Sequence, residues 1–208
     1  MTSLTSDLVF GLINTVITFG ISVVVLLIAL KFKNSKQIIG WLLIFSGFVL
    51  NAFVTGLWTY LLAKLGIVMK YAVLLWPLSY SLISAGIMTY WLLLEKELKS
   101  RFPLFVLLLL LTLEIIIYFA TAEFMPGREK LITAAALMTL TTTPLMRLFK
   151  GGKIYNSWRL IHIGGGLFII KEIVQYIEIL KGLDFALSNV IWVISNLLIL
   201  AGFTKMFK

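Results

Sequence analysis

Seven apolar runs, each about 17–25 residues long and separated by short charged turns, constrain this chain more than any other feature of its sequence. A bilayer offers no partners to backbone N–H and C=O groups, so a segment buried in lipid must be a helix or part of a closed barrel. Runs of this length suit helices rather than barrel strands. They cover residues 8–30, 38–62, 68–94, 103–119, 131–149, 158–180 and 185–207. The expected fold is therefore an all-α integral membrane protein of seven transmembrane helices, forming a single transmembrane domain over 1–208. Charged residues make up 13% of the chain, about half the share usual in soluble domains.

The charges cluster at the ends of the runs, and their sign sets an orientation. One side carries Lys31, Lys33, Lys36, Lys96, Lys99, Arg101, Arg147, Lys150, Lys153, Arg159, Lys205 and Lys208. The other carries Lys64, Lys70, Arg128, Lys130 and Lys181. The richer side is expected in the cytoplasm, with the N-terminus outside and the C-terminus inside. Residues 1–7 hold no basic residue, so the first span reads as an uncleaved insertion signal rather than a cleaved leader. The net charge of +9 then reflects topology and contact with anionic lipid, and nucleic acid is not an expected partner. The sequence has no cysteine and one histidine, His162. That leaves no disulfide, thiolate metal site or two-histidine haem site. No cofactor and no metal are expected. No nucleophile elbow, phosphate loop or metal-ligand spacing is present, so no catalytic residue is assigned.

Two spans share a pattern. The third reads Trp76-x-x-Ser79-x-x-Leu82-Ile83-x-Ala85-Gly86, and the seventh Trp192-x-x-Ser195-x-x-Leu198-Ile199-x-Ala201-Gly202, an offset of 116 residues. The second and sixth spans align at nearly the same offset, Leu42 on Leu160 and Gly47 on Gly165. Both follow a basic turn and enter through a tryptophan, Trp41 and Trp158. A duplication of three helices accounts for this: repeat A over 8–94, a linker helix over 103–119 and repeat B over 131–207. An odd linker leaves the two triplets parallel, related by an axis along the membrane normal.

Polar residues inside the spans fall at helical spacing. Asn14, Thr18 and Ser22 lie four apart in the first span, and Gly47, Asn51 and Thr55 in the second. Tyr80 and Ser84 share a face near Pro77. Ser188, Trp192 and Ser195 align in the seventh, with Asn189 and Asn196 beside them. Such stripes serve helix packing or line a cavity. Candidate cavity-lining residues are Asn14, Asn51, Thr55, Tyr80, Ser84, Trp192 and Asn196. In the fifth span, the threonines at 139 and 141–143 stand ready to satisfy the carbonyl freed by Pro144, where a kink is expected.

The sixth span differs in kind, because it carries Lys171, Glu172, Gln175 and Glu178 within one membrane helix. At 100° per residue, Lys171, Gln175 and Glu178 fall within about 60° of arc, opposite a lipid-suited face of Ile169, Ile170, Ile173, Val174, Ile177 and Leu180. A charge at the membrane centre costs about 2.5–3.5 kcal/mol on insertion scales, and Lys171 lies too deep to reach the surface. It should face inward and find a carboxylate, with Glu114 of the fourth span or Glu172 favoured over Glu178. The group is either a ligand or proton site or a structural ion pair. His162, one turn inside the cytoplasmic end and roughly opposite Lys171, is expected near the headgroups.

The sixth span, Ser157-Trp158-Arg159-Leu160 followed by Gly165-x-x-Phe168-x-x-Lys171-Glu172, resembles the seven-helix membrane sensor regions that precede histidine kinases and diguanylate cyclases. That resemblance implies a sensor whose signal passes to a separate protein, since the sequence ends at Lys208 without an output domain. Microbial rhodopsins share the helix number, but the seventh span has no lysine before Lys205 to carry retinal. The three-plus-one-three sugar transporters share the plan, but no proline here is followed by glutamine. The leading expectation is a non-enzymatic, multi-pass cell-membrane protein that senses or binds a ligand. Its partners would be the bilayer and a separate signalling protein or membrane subunit, and its oligomeric state is left open. A small-solute or ion-coupled transporter and a structural subunit of a larger complex are the alternatives.

Overall fold

The computed structural model describes residues 2–65, 72–94, 136, 139–143, 145–146, 149–183 and 185–207. All regular structure among the described residues is helical. The helices are α1 (Thr2–Lys31), α2 (Ile38–Leu65), α3 (Ala72–Leu94), α4 (Lys153–Leu180) and α5 (Ala186–Phe207). The first three correspond to the first three spans of the sequence, and α4 and α5 to the sixth and seventh. All five are long and apolar enough to cross a membrane. The fourth span, 103–119, lies outside the described residues. The fifth is described in part, as a helical stretch at 139–143.

Glycines bring the helices together and fix their directions. A Cβ on Gly47 of α2 would stand 2.6 Å from Ile83 Cγ1 and 2.7 Å from the Ser79 carbonyl oxygen of α3. Two turns away, a Cβ on Gly40 would stand 2.8 Å from the Gly86 carbonyl oxygen. So α2 and α3 run antiparallel with their backbones in contact. The same relation joins α4 to α5. A Cβ on Gly164 would meet Ile199 Cγ1 at 2.6 Å and the Ser195 oxygen at 2.9 Å, and one on Gly202 would meet the Ser157 oxygen at 2.8 Å. Apolar driving force between helices is weak in lipid, so close backbone approach of this kind supplies much of the association energy.

The two contacts are alike in detail: Gly164 meets Ser195 and Ile199 as Gly47 meets Ser79 and Ile83, one residue from the Gly47–Gly165 alignment of the sequence. Ile44 and Ile161 then correspond as well, each lying against the glycine of the next helix, Gly86 or Gly202. The offset between α2 and α4 is 117 residues, Gly47 to Gly164, against 116 between α3 and α5, Gly86 to Gly202. A triple glycine offers three registers to a sequence comparison, and backbone contact selects one.

Helix α1 packs on both α2 and α5. Asn189 Nδ2 of α5 donates to Asp7 Oδ1 at 2.8 Å, and Asn196 Nδ2 to Asn14 Oδ1 at 2.8 Å. Both pairs rise together along the chain, so α1 and α5 are parallel. At the far end Lys31 Nζ sits 4.0 Å from the centre of the Phe207 ring and bonds the Phe207 carbonyl. The C-terminal end of α3 and the N-terminal end of α4 therefore lie at the same end of the bundle. That end carries Lys31, Lys33, Lys36, Lys150, Lys153, Arg159 and Lys205, and is called the basic end below. At the opposite end, α4 stops at Gly182, whose φ of 61° places it in the left-handed region. Leu183 N–H then reaches back to the Glu178 carbonyl at 2.8 Å, a six-residue closure typical of glycine-terminated helices.

The core holds an aromatic layer near the basic end, built from Phe32, Trp41, Tyr90, Trp158 and Phe203. The outer faces are apolar and exposed. Val16 and Phe19 on α1 and Ile170, Ile173, Ile177 and Leu180 on α4 are the faces a lipid environment would cover.

Candidate functional site

Lys171 and Glu172 face inward from α4, and both are buried. Their Cα positions diverge by about 100° around the helix. The side chains nevertheless converge, with Lys171 Nζ donating to Glu172 Oε1 at 2.7 Å. The ammonium also lies 4.9 Å from the centre of the Trp192 ring on α5 and 5.4 Å from that of Phe168 one turn back on α4. A cation over desolvated aromatic faces gains about 2 kcal/mol, which offsets part of its burial. The negative partner is less complete. Glu172 is 1% exposed and its Oε2 has no hydrogen-bond partner among the described residues. A buried polar atom left open in this way costs about 1–3 kcal/mol, more when charged.

Tyr80 of α3 completes the group from the opposite helix pair. Its ring meets Phe168 at 4.9 Å. Its side chain lies beside the Asn51 amide and within electrostatic reach of Glu172. Ser84, one turn further along α3, is buried, and its hydroxyl has no hydrogen-bond partner among the described residues. Gln175 is half-buried one turn beyond Lys171 on α4. Lys171, Glu172, Trp192 and Tyr80 thus gather around one place, with Phe168 among them, which the sequence reading had named without giving it a role. Its signal was present as an aromatic residue three positions before Lys171, on the same helical face.

Other expected site residues lie elsewhere. Glu178 is 5% exposed, and its Oε1 accepts the Ser188 N–H at 3.3 Å, so it caps the first turn of α5. Asn14 and Asn196 bond each other between α1 and α5. Asn51 and Thr55 belong to a relay between α2 and α3. Asn51 Nδ2 donates to Ser79 Oγ at 3.2 Å, and Thr55 Oγ1 donates to Asn51 Oδ1 at 3.4 Å. Trp76 Nε1 donates to Thr55 Oγ1 at 3.2 Å. Trp76 and Ser79 entered the sequence reading as repeat markers, not as members of a network. Glu114 lies outside the described residues.

His162, expected near the headgroups, contacts the described part of the fifth span. Its Nδ1 stands 2.8 Å from Thr142 Oγ1 and 3.1 Å from the Thr139 carbonyl oxygen. Thr142 also donates its hydroxyl to the Thr139 carbonyl at 2.6 Å, so these threonines serve helix contact as well as their own backbone. Pro144 lies outside the described residues. Many of the remaining hydroxyls bond the carbonyl four residues back, as Thr18 does to Asn14 at 2.7 Å and Thr59 to Thr55 at 2.7 Å. Such groups are satisfied within their own helix and require no water.

No protein family, curated protein or solved structure matches this chain.

Proposed function

We propose that the protein is a non-enzymatic, seven-helix membrane sensor or binding protein that takes a polar ligand at the Lys171–Glu172 group and signals to a separate partner. The observation that carries this reading is the open Oε2 of a fully buried carboxylate whose other oxygen is held by a lysine. A structural ion pair that only fixed packing would gain by closing both oxygens, since removing charges from water is repaid only when their remaining hydrogen bonds are made. Glu172 Oε2 is an acceptor, so a ligand suited to it brings a hydrogen-bond donor.

The seven-helix arrangement belongs to the same proposal. The C-terminal end of α3 and the N-terminal end of α4 lie at one end of the bundle, which an even number of spans between them would satisfy. Two spans fit that length at about 20 residues each. The matched glycine contacts of α2–α3 and α4–α5 support a duplication. So does the stacking of Trp41 on Trp158, which occupy corresponding positions. The basic end is assigned to the cytoplasm on its charge, with the N-terminus outside and the C-terminus inside.

One observation favours a second reading, a small-solute or ion-coupled transporter. Tyr80 and Glu172 belong to different helix pairs, and a site shared between two repeats suits alternating access.

Purification from native membranes, with mass spectrometry of what co-purifies, supplies candidate ligands, and thermal shift of the detergent-solubilised protein scores them. Lys171→Met and Glu172→Gln should leave folded protein in normal yield and abolish the ligand-induced shift. If both variants are lost to misfolding and Lys171→Met/Glu172→Met restores both fold and response, the group is scaffold and the proposal fails.

A further inference from the structure

Four of the five described helices form two pairs that are tight within and loose between, with α1 packed on one member of each. Gly40, Gly47 and Gly86 bring the backbones of α2 and α3 into contact, and Gly164 and Gly202 do so for α4 and α5. Between the pairs, no described Cα of one lies within 8 Å of a described Cα of the other. The pairs meet through rings. Tyr80 packs on Phe168 at 4.9 Å, Phe48 on Phe203 at 5.7 Å, Trp41 on Phe203 at 6.2 Å and Tyr90 on Trp158 at 6.2 Å. Trp41 stacks on Trp158 at 6.4 Å with 26° between planes. These two tryptophans are both 0% exposed, and neither indole N–H has a partner among the described residues.

We infer that this aromatic seam is a joint on which the two helix pairs rock as bodies, and that the stacked Trp41 and Trp158 mark its closed position at the basic end. Ring contacts are weakly directional, so they can be exchanged at low cost. Backbone contacts at glycine cannot, and interlocked packing favours a few discrete arrangements over continuous deformation. Phenylalanine would fill the closed seam equally well without an open donor. Indole N–H groups gain hydrogen-bond acceptors when the seam parts and water enters. Helix α1, packed on both α2 and α5, holds the pairs together on one side while the other side moves. The inference rests on the seam itself and stands whatever the Lys171–Glu172 group binds.

The sequence has no cysteine, so a spin-label pair can be placed without background. Ile39→Cys and Asn156→Cys lie at corresponding exposed positions at the basic ends of α2 and α4. In the full chain reconstituted in liposomes, their distance distribution should hold a shorter and a longer population. Adding Trp41→Phe and Trp158→Phe should raise the ratio of shorter to longer about threefold, because the closed state then leaves no donor open. The unsubstituted chain supplies an independent measurement, solvent exchange of the Trp41 and Trp158 indole protons by NMR. Those protons should exchange about tenfold faster than backbone amides near Gly47 and Gly164, whose exchange requires a helix pair to come apart. A single distance population unaltered by the phenylalanines would overturn the joint. Indole protons protected as long as those amides would also overturn it, and this second result decides alone if the phenylalanine variants do not fold.

Discussion

A lysine ammonium in an apolar interior must find its compensation already in place, and among the described residues Lys171 draws on the Glu172 carboxylate, the Trp192 face and the Phe168 face. Of these, Trp192 is the contribution a substitution isolates best. Trp192→Phe should keep most of the cation–ring attraction, whereas Trp192→Leu should lower stability by about 2 kcal/mol, measured as thermal denaturation in mild detergent. The Asn14–Asn196 bond is a simpler pair. A double-mutant cycle with leucine at each position should return a coupling of about 0.6 kcal/mol, small because unfolded helices in a membrane also find partners. The inward direction of Lys171 was legible from cost alone, since no lipid-facing position could hold it. Its partner was legible only as a choice between Glu172 and Glu114; the structure pairs it with Glu172, and Glu114 lies outside the described residues. Helical angles set Glu172 about 100° away, and long flexible side chains cancelled that separation. Glu178 shared the correct face yet capped α5, because the chain reverses at Gly182 and carries the first turn of α5 past the carboxylate.

Among the helices, glycine does what hydrophobicity cannot, because the exposed faces along the spans are already apolar. The run Gly164–Gly166 provides a direct comparison within one turn. A Cβ at Gly164 would press on Ile199 at 2.6 Å, whereas one at Gly166 would meet nothing within 4 Å. Gly164→Ala should therefore cost about 2 kcal/mol by forcing α4 from α5, and Gly166→Ala should be neutral or slightly stabilising as a better helix former. Paired thermal melts of the two variants check this. Equal effects would mean that the α4–α5 contact is not where the tightness resides. The five spans described as long helices were readable because about 20 apolar residues in a row admit few alternatives. Their ends were less so. Helix α1 begins at Thr2 and α2 continues to Leu65, since hydropathy marks where lipid begins and not where helical hydrogen bonding stops. The polar stripes were legible as inward faces, but spacing does not say whether a hydroxyl meets water or the carbonyl behind it.

At the scale of the whole molecule, the charge distribution carries a prediction of sidedness. A single cysteine replacing Asn34, exposed in the turn after α1, should react with an impermeant maleimide only after the membrane is opened. A cysteine replacing Leu183, exposed in the turn after α4, should react in intact cells. The reverse pattern would invert the assignment. The parallel contact of α1 with α5 bears on how the protein is made. Helix α1 enters the membrane first, but the side chains that complete its polar stripe arrive 182 residues later, when Asn189 meets Asp7 and Asn196 meets Asn14. Until then the Asn14 amide N–H already bonds the Phe10 carbonyl within α1, but its oxygen lacks the Asn196 donor. A chain cut short before α5 would lack both cross-helix bonds, giving membrane quality control a direct mark of an unfinished copy.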